Sequence, residues 1–207
     1  MKRLTILAVV LAFTLGLLGA NDISFEGGKT SMQTQAGRQV ITLSDRARIQ
    51  SGSIILRADT ITLSGDDFRY VLCSGNVVLK DVERELNLRS NRLFYDRDLE
   101  EIRIDGYFEL DDPKNELLAR GFGLTYSIDE EQLALHAQAH VEKHTSSGAM
   151  VCKADLMHFD RKLMSLSLYG KALVDWSDDH YEAQQIIVDL EKEQITAEGS
   201  IKGVIHG

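Results

Sequence analysis

The chain has 207 residues, of which 43% are hydrophobic and 7% aromatic, and its formal net charge is −9. This length suits one large all-β domain or two small ones, and no break in composition marks a domain boundary. A single proline and 16 glycines exclude a proline-rich or low-complexity chain. The acidic balance argues against nucleic acid as a partner and against the coating of an anionic membrane.

Residues 1–20 are predicted to be an export signal. Cationic residues at the start precede an apolar run over residues 4–18, which is short for a membrane span of roughly 20 residues. We expect cleavage after Ala20, although Leu18 is large for a residue so close to the cut, and an uncleaved membrane anchor is the alternative. Cleavage leaves residues 21–207 as a single exported domain with a net charge of 21 − 32 = −11.

A strand pattern recurs along the exported part at intervals of 29 to 33 residues. Each copy alternates apolar and polar residues, which is typical of a β-strand with one buried face. The central position is small in five of the six copies. The small centres are Gly75, Gly106, Ala137, Gly170 and Gly199, after a degenerate first copy at Asp45. Because glycine weakens a strand interior, its recurrence there indicates a structural use.

A second pattern lies between these centres, as in "KADLMHF" at 153–159. In five copies its apolar positions change parity after a small residue such as Ala154. A parity change within a strand requires an extra residue, a bulge or a corner. Segments rich in Asp, Asn and Gly separate the patterns and predict turns. Each repeat is therefore predicted to be two long strands, one of them bent near its middle.

One such repeat cannot bury its own apolar face, so neighbouring repeats must stack. We predict an all-β fold: an elongated, open β-jelly-roll of about five stacked repeats of roughly 31 residues, with a V-shaped or flattened section. The small central residues are predicted on the inward face, where they leave space for the opposite wall or for an acyl chain. The apolar inward rows are Val71, Val77, Leu79, Leu93, Tyr95, Ile102, Ile104, Phe108, Leu110, Leu124, Tyr126, Leu133, Leu135, Val141, Met157, Phe159, Leu166, Leu168 and Val174.

Both patterns resemble motifs of the LptA/OstA family of exported β-jelly-roll proteins. The motifs are "ADLMHFD" at 154–160 and "GNVVL" at 75–79, and their alternation extends over residues 40–205. The resemblance implies a periplasmic protein that carries lipopolysaccharide, or a related glycolipid, from the inner to the outer membrane. The acyl chains would lie in the apolar interior.

The resemblance also implies end-to-end assembly, both between protomers and with related jelly-roll components at the two membranes. The last predicted strand, residues 195–205, and residues 21–28 would form the two bare edges, which suit β-augmentation. The alternatives are an inner-membrane-anchored adaptor of the same fold and a structural protein that polymerises without ligand. The residue pattern alone does not distinguish an open groove from a filled core.

A column of cations, Arg57, Arg89, Arg120 and Lys153, precedes the small residue of the second pattern. It could contact the phosphates of a glycolipid head group. However, the parity of these positions points outward, which favours a solvated face. Both interpretations are compatible with the sequence.

Other candidate sites are weaker. His136, His140 and His144 are four residues apart, but on a strand this separation is about 13 Å, too far for one metal ion. Cys73 and Cys152 are expected to be separate buried thiols, with a disulfide as the alternative. No nucleophile, phosphate-loop or paired-carboxylate motif occurs, so we expect neither catalysis nor a cofactor.

Overall fold

A computed structural model describes residues 22–35, 37–145 and 148–205. The predicted export signal lies outside these residues. Within the described ranges, no helix is long and apolar enough to cross a membrane.

The described residues form 14 strands and two short 3-10 turns, at Asp66–Phe68 and Pro113–Asn115. The strands are β1 (Ile23–Glu26), β2 (Lys29–Gln35), β3 (Arg38–Ser51), β4 (Ile54–Ser64), β5 (Tyr70–Asp81), β6 (Leu86–Asp96), β7 (Glu101–Asp112), β8 (Leu117–Ser127), β9 (Gln132–Thr145), β10 (Gly148–Asp160), β11 (Ser165–Trp176), β12 (Asp179–Asp189), β13 (Gln194–Glu198) and β14 (Lys202–Val204).

All strands belong to one antiparallel sheet, and from β3 to β12 each strand pairs with the next along the chain. β1 and β2 both pair with β3 and together form one interrupted edge strand. β13 and β14 pair with β12 in the same way at the other edge. The two edges do not pair with each other, so the sheet is open. This confirms the predicted all-β, open jelly-roll of stacked strand pairs.

The strands from β3 to β12 bend near their middles, along one line across the sheet. Between β5 and β6, Ser74 pairs with Arg92 and Val77 with Ser90, so two residues of β5 lie opposite one residue of β6. Such a bulge bends the strand and sharpens its twist. Equivalent pairs lie at 45–46, 105–106, 137–138 and 170–171. The sheet is thereby folded into two leaves.

The predicted parity change in the even-numbered strands is confirmed, but the prediction that only one strand of each pair bends is wrong. In β4 the inward residues Ala58 and Ile61 are three positions apart, so the parity changes at the bend. In β5 the inward residues Cys73 and Val77 are four positions apart. Parity is unchanged there, and the bend leaves no trace in the alternation.

The small central residues lie at this bend, and the prediction that they face inward is wrong. Gly106, Ala137, Gly170 and Gly199 are exposed and Gly75 is half-buried. All five have positive φ, from 48° at Ala137 to 138° at Gly106. Glycine adopts this region without steric cost. The row of small residues therefore allows the positive φ that the bend requires. It does not create space in the interior.

Close approach by the neighbouring strand adds a second reason for glycine. A Cβ at Gly75 would lie 2.3 Å from Oδ2 of Asp59, and one at Gly170 would lie 3.0 Å from Oδ2 of Asp155. These aspartates belong to the second sequence pattern. The two sequence patterns therefore meet at each bulge, where the aspartate of one strand packs against the glycine backbone of the neighbouring strand.

The two leaves pack their apolar faces against each other. Leaf 1 contains the first halves of the odd-numbered strands and the second halves of the even-numbered ones; leaf 2 contains the other halves. A single cluster of buried aliphatic and aromatic side chains extends from Ile41 of β3 to Val188 of β12. Complete burial of one such side chain stabilises the fold by about 1.5–3 kcal/mol.

Gly106 and Ala137 allow a matched test of the bend. Gly106 has φ 138°, and a Cβ added there would meet nothing within 4 Å, so Gly106→Ala tests backbone conformation alone. We expect this substitution to lower the free energy of unfolding by about 1–2 kcal/mol. Ala137→Gly, which relieves a positive φ of 48°, should be neutral or stabilising. Urea titration measures both. Equal losses of unfolding free energy in the two variants would show that positive φ at the bend is not the reason for glycine there.

Candidate functional site: an apolar interior with a closed mouth

The predicted inward rows lie between the leaves. Each of those side chains is at most 4% exposed. Phe108 and Tyr126 are the largest of the fully buried side chains. Their inward placement is therefore confirmed, whereas contact with a lipid stays a prediction.

In this conformation the interior is a filled core and not an open groove. Leu43, Leu79, Leu93, Ile102 and Leu168 are 0% exposed, so water does not reach them. An acyl chain could enter only if the leaves separate or if it replaces side-chain contacts at an end of the sheet. The places where the interior is least sealed are therefore the candidate entry points.

The two ends of the interior are partly open. Ile23 at one edge, and Tyr181, Ile195 and Ala197 at the other, are only partly buried against the core. No further strand covers them within the described residues. The edge strands expose backbone hydrogen-bonding groups at the same places, so a paired strand would also extend the apolar interior.

A third opening lies at the mouth, the line opposite the bend where turns of the two leaves meet. A cavity of about 700 Å³ is located there between residues 51–54 and 83–84 of leaf 2 and residues 67–68, 97–100 and 128–129 of leaf 1. Apolar groups line it beside charged turn residues: Ile54, Phe68, Tyr95 and Ile128. Burial raises the pKa of Tyr95 to about 12. Partial burial and the adjacent Asp129 carboxyl raise the pKa of Glu100.

Next to the cavity the mouth is closed by a cluster of charged residues, which we call the latch: the buried ion pair of Arg161 and Asp112, with Glu131 and Arg84 in contact with it. Arg161 belongs to a leaf 1 turn and Asp112 to the leaf 2 end of β7. The guanidinium Nε donates to Oδ2 of Asp112 at 2.7 Å and a terminal nitrogen donates to Oδ1 at 3.1 Å. Both side chains are almost completely buried, at 2% and 0% exposed.

Arg161 also connects further turns. It donates to Oε2 of Glu131 at 3.0 Å and to the backbone carbonyl of Arg84 at 3.0 Å. Arg84 in turn contacts Asp81, which accepts a hydrogen bond from the buried Tyr126 hydroxyl at 3.4 Å. Elsewhere along the mouth, another cross-leaf hydrogen bond joins Arg97 Nε to Ser51 Oγ at 3.2 Å. The leaves are therefore held together at the mouth by polar contacts.

Sequence reasoning missed the latch. The sequence pattern places Arg161 only in a turn, and turns rich in charge are usually solvated. The one available signal was that Asp81 and Asp112 end their strands at positions where the alternation points inward. Both are buried.

Asp96 stabilises the turn that borders the cavity. Its carboxylate accepts two hydrogen bonds from Arg69, each 2.8 Å long, and further bonds from the backbone N–H groups of Asp98 and Leu99. The Arg69 hydrogen bonds hold the pKa of Asp96 below its ordinary value.

The cation column is confirmed as one exposed row on the outer face of leaf 2. Arg57, Arg89, Arg120 and Lys153 are all exposed. The register aligns them across the sheet, with Val78, Glu109 and His140 between them. The sheet separates this row from the interior. A lipid with its chains between the leaves could not place its head group there. The prediction that this row contacts the head-group phosphates of a lipid held in the interior is therefore wrong.

The remaining candidates lie apart from the interior or are inert within it. Cys73 and Cys152 are free and buried, and burial raises the pKa of both thiols to about 12. His140 contacts Glu142 at 2.6 Å. In the described part of the chain, no group of His, Cys, Asp or Glu side chains could hold a metal ion.

Of the comparisons with known proteins, only that with solved structures finds similar chains. No protein-family model matches the chain, and no curated protein does. Among solved structures, the chain is similar to LptH from Pseudomonas aeruginosa, described as the LptA-homologous periplasmic component of a lipopolysaccharide transport device. The identity is 14%, the match covers 90% of this chain and 96% of that one, and the TM-score is 0.26. A TM-score this low supports no functional assignment.

The latch gives a stability prediction. Arg161→Met leaves the Asp112 carboxylate buried without its cation, which should cost about 3–5 kcal/mol of unfolding free energy. Adding Asp112→Asn removes the uncompensated charge and should recover part of that loss. Urea titration of both variants measures this. A loss under about 1 kcal/mol in the single variant would show that the pair does not hold the leaves together.

Asp96 gives a prediction for pH dependence. Because its pKa is lowered in the folded state, its contribution to stability is present near neutral pH. It is lost as the pH falls below the ordinary aspartate range of about 4. Asp96→Asn should therefore be less stable than wild type at pH 7, and the difference should shrink towards pH 3. A difference that does not change with pH would contradict this coupling.

Proposed function

We propose that the protein is a periplasmic lipid-carrying bridge. It shields the acyl chains of lipopolysaccharide, or of a related glycolipid, between its two leaves during transfer from the inner to the outer membrane. The observation that carries this proposal is the continuous apolar interior, which extends between two unpaired sheet edges. Sequestration of an acyl chain gains roughly 0.8 kcal/mol for each buried CH₂ group and requires no polar recognition.

The edges support end-to-end assembly by β-augmentation. The C-terminal edge exposes Ile201, Val204 and Ile205, and the N-terminal edge exposes Phe25 and Met32. Exposed apolar edge strands of this kind are normally covered or charged. Pairing between copies, or with related jelly-roll components at the two membranes, would cover them and make the interior continuous from one protomer to the next.

The closed core defines how loading must occur. Since the inward rows exclude water, lipid must enter either at an end of the sheet or by separation of the leaves, and we propose separation at the mouth. The cavity beside Ile54 and Tyr95 already interrupts the packing between the leaves at the mouth, so separation would begin there. The latch, on one side of this cavity, would limit how far the leaves open.

A structural protein that polymerises through its edges without ligand is the second candidate, because the filled core favours it. An adaptor of the same fold, anchored by an uncleaved residue 1–20 segment, is a variant of the carrier. The mature N-terminus of protein from its native envelope distinguishes cleaved from anchored forms. Lipid bound to the protein purified from its native envelope would distinguish either of these carriers from the structural polymer.

A photoreactive fatty-acyl probe tests the carrier directly. Irradiation of the full chain with a lipopolysaccharide analogue that carries a diazirine in its acyl chain should give adducts at inward residues such as Phe108 and Leu168. Unlabelled lipopolysaccharide should suppress these adducts. A chemical cross-link between Cys substituted at Val82 and Leu99, across the mouth, should also suppress them. The same cross-link between Leu99 and Leu163, within leaf 1, should have little effect.

The buried thiols of Cys73 and Cys152 should not react in this experiment. Adducts restricted to outer-face residues, or adducts that do not depend on the cross-link across the mouth, would contradict carriage between the leaves.

A further inference from the structure

The outer face of leaf 2 presents cations that have no counter-ion. Arg57, Lys80, Arg89 and Lys153 are exposed and, within the described residues, form no ion pair. Other cations of the chain, such as Arg69 and Arg161, are fully paired. The outward residues of β4–β6 on this leaf contain three of the free cations and no acid. A local positive surface thus exists on a chain whose net charge is −9.

The register makes this surface regular. Arg57, Arg89, Arg120 and Lys153 occupy one cross-strand row and lie two strands apart. Neighbouring cations of the row are therefore about 10 Å apart, over a total of about 30 Å. An extended array of this kind matches an extended anionic surface better than a single small anion.

Exposed apolar side chains lie on the same face, beside Arg120. Tyr107, Leu118 and Phe122 are 46%, 47% and 51% exposed. Tyr107 and Phe122 are cross-strand partners in edge-to-face contact, with ring centroids 5.7 Å apart. Two shallow surface grooves, of about 500 and 560 Å³, flank the Tyr107–Arg120 pair. Tyrosine and other aromatic residues beside cations are characteristic of surfaces at the membrane–water interface.

The acids on this face are fewer than its cations. Glu142 contacts Arg120 and His140, and its pKa is lowered mainly by the His140 hydrogen bond. Glu109 lies between Arg89 and Arg120 in the row, and the hydrogen bond that it accepts from the Tyr107 hydroxyl at 3.0 Å leaves its negative charge in place. Asp111 lies nearer the mouth. The positive charge is therefore concentrated on β4–β6, around Arg57, Lys80 and Arg89.

We propose that the outer face of leaf 2, defined by Arg57, Lys80, Arg89, Tyr107, Arg120 and Phe122, docks on the surface of an anionic lipid bilayer. The cations would lie among anionic head groups and the Tyr107–Phe122 pair at the level of the head-group boundary. This site is separate from the interior, and it stands whether or not the interior carries lipid.

Vesicle sedimentation tests the docking face. Full-length wild type is compared with Arg57→Glu/Arg89→Glu and with Arg92→Glu/Arg103→Glu. The second variant is the matched control, because Arg92 lies on the same strand as Arg89 and both control residues are on leaf 1. Vesicles contain phosphatidylcholine with or without roughly 30% phosphatidylglycerol, an amount chosen to give an anionic surface near the physiological range. Any contribution of residues 1–20 is common to all three proteins.

We expect the leaf 2 variant to bind anionic vesicles at least tenfold more weakly than wild type, since each cation near such a surface contributes roughly fivefold. The control variant should stay within about threefold, and about 0.5 M salt should abolish the difference. Equal weakening of both variants, or of neither, would overturn the proposal.

A second readout reports orientation. Phe122→Trp and, on leaf 1, Phe94→Trp are bound to anionic vesicles that contain brominated acyl chains. Quenching should be at least twofold stronger at position 122. Equal quenching at both positions, or binding of the face to soluble polyglutamate in place of vesicles, would also overturn the proposal.

Discussion

The fold depends on one constraint: in each odd-numbered strand from β3 to β11, two residues lie opposite one residue of the next strand, on the same line across the sheet. A flat sheet of this width would leave one apolar face in water. The aligned bulges fold it, and the two halves of that face then bury each other. Positive φ is required at these positions, which explains why glycine recurs at Gly75, Gly106, Gly170 and Gly199.

The bend also determines where the interior can open. Along the fold line the leaves are covalently continuous, so they can separate only at the mouth or at the ends. A few polar contacts around Arg161 and Asp112 hold the leaves together at the mouth. At the ends, the edge strands pair with a neighbour on one side only. Buried ion pairs contribute less to net stability than apolar packing of similar volume, but removal of one partner is costly. The leaves can therefore be tightly closed at the mouth even though the contacts there contribute less net stability than the apolar packing between the leaves.

Much of this arrangement could be predicted from the sequence. Period-two alternation identified the strands and the inward rows, and the parity change identified the bends of the even-numbered strands. The bends of the odd-numbered strands were hidden, because Cys73 and Val77 keep the same parity across the bulge. Alternation alone therefore puts Gly170 on the inward face, although Gly170 has positive φ at the bend and is exposed.

The latch and the filled core could not be predicted in this way. Arg161 and Asp112 are 49 residues apart, and their contact arises only when the folded sheet brings the turns of opposite leaves together. Alternation also specifies which side chains face inward but not how close the opposite wall lies.

The central claim is that lipid enters between the leaves, and a distance measurement tests it most directly. Spin labels at Val82 and Leu99, exposed on opposite sides of the mouth, report the separation of the leaves, and labels at Leu99 and Leu163 report distances within leaf 1. Pulsed electron paramagnetic resonance should show a longer Val82–Leu99 distance when lipopolysaccharide is bound and an unchanged Leu99–Leu163 distance. If lipid binds while the distance across the mouth stays constant, carriage between separated leaves is wrong.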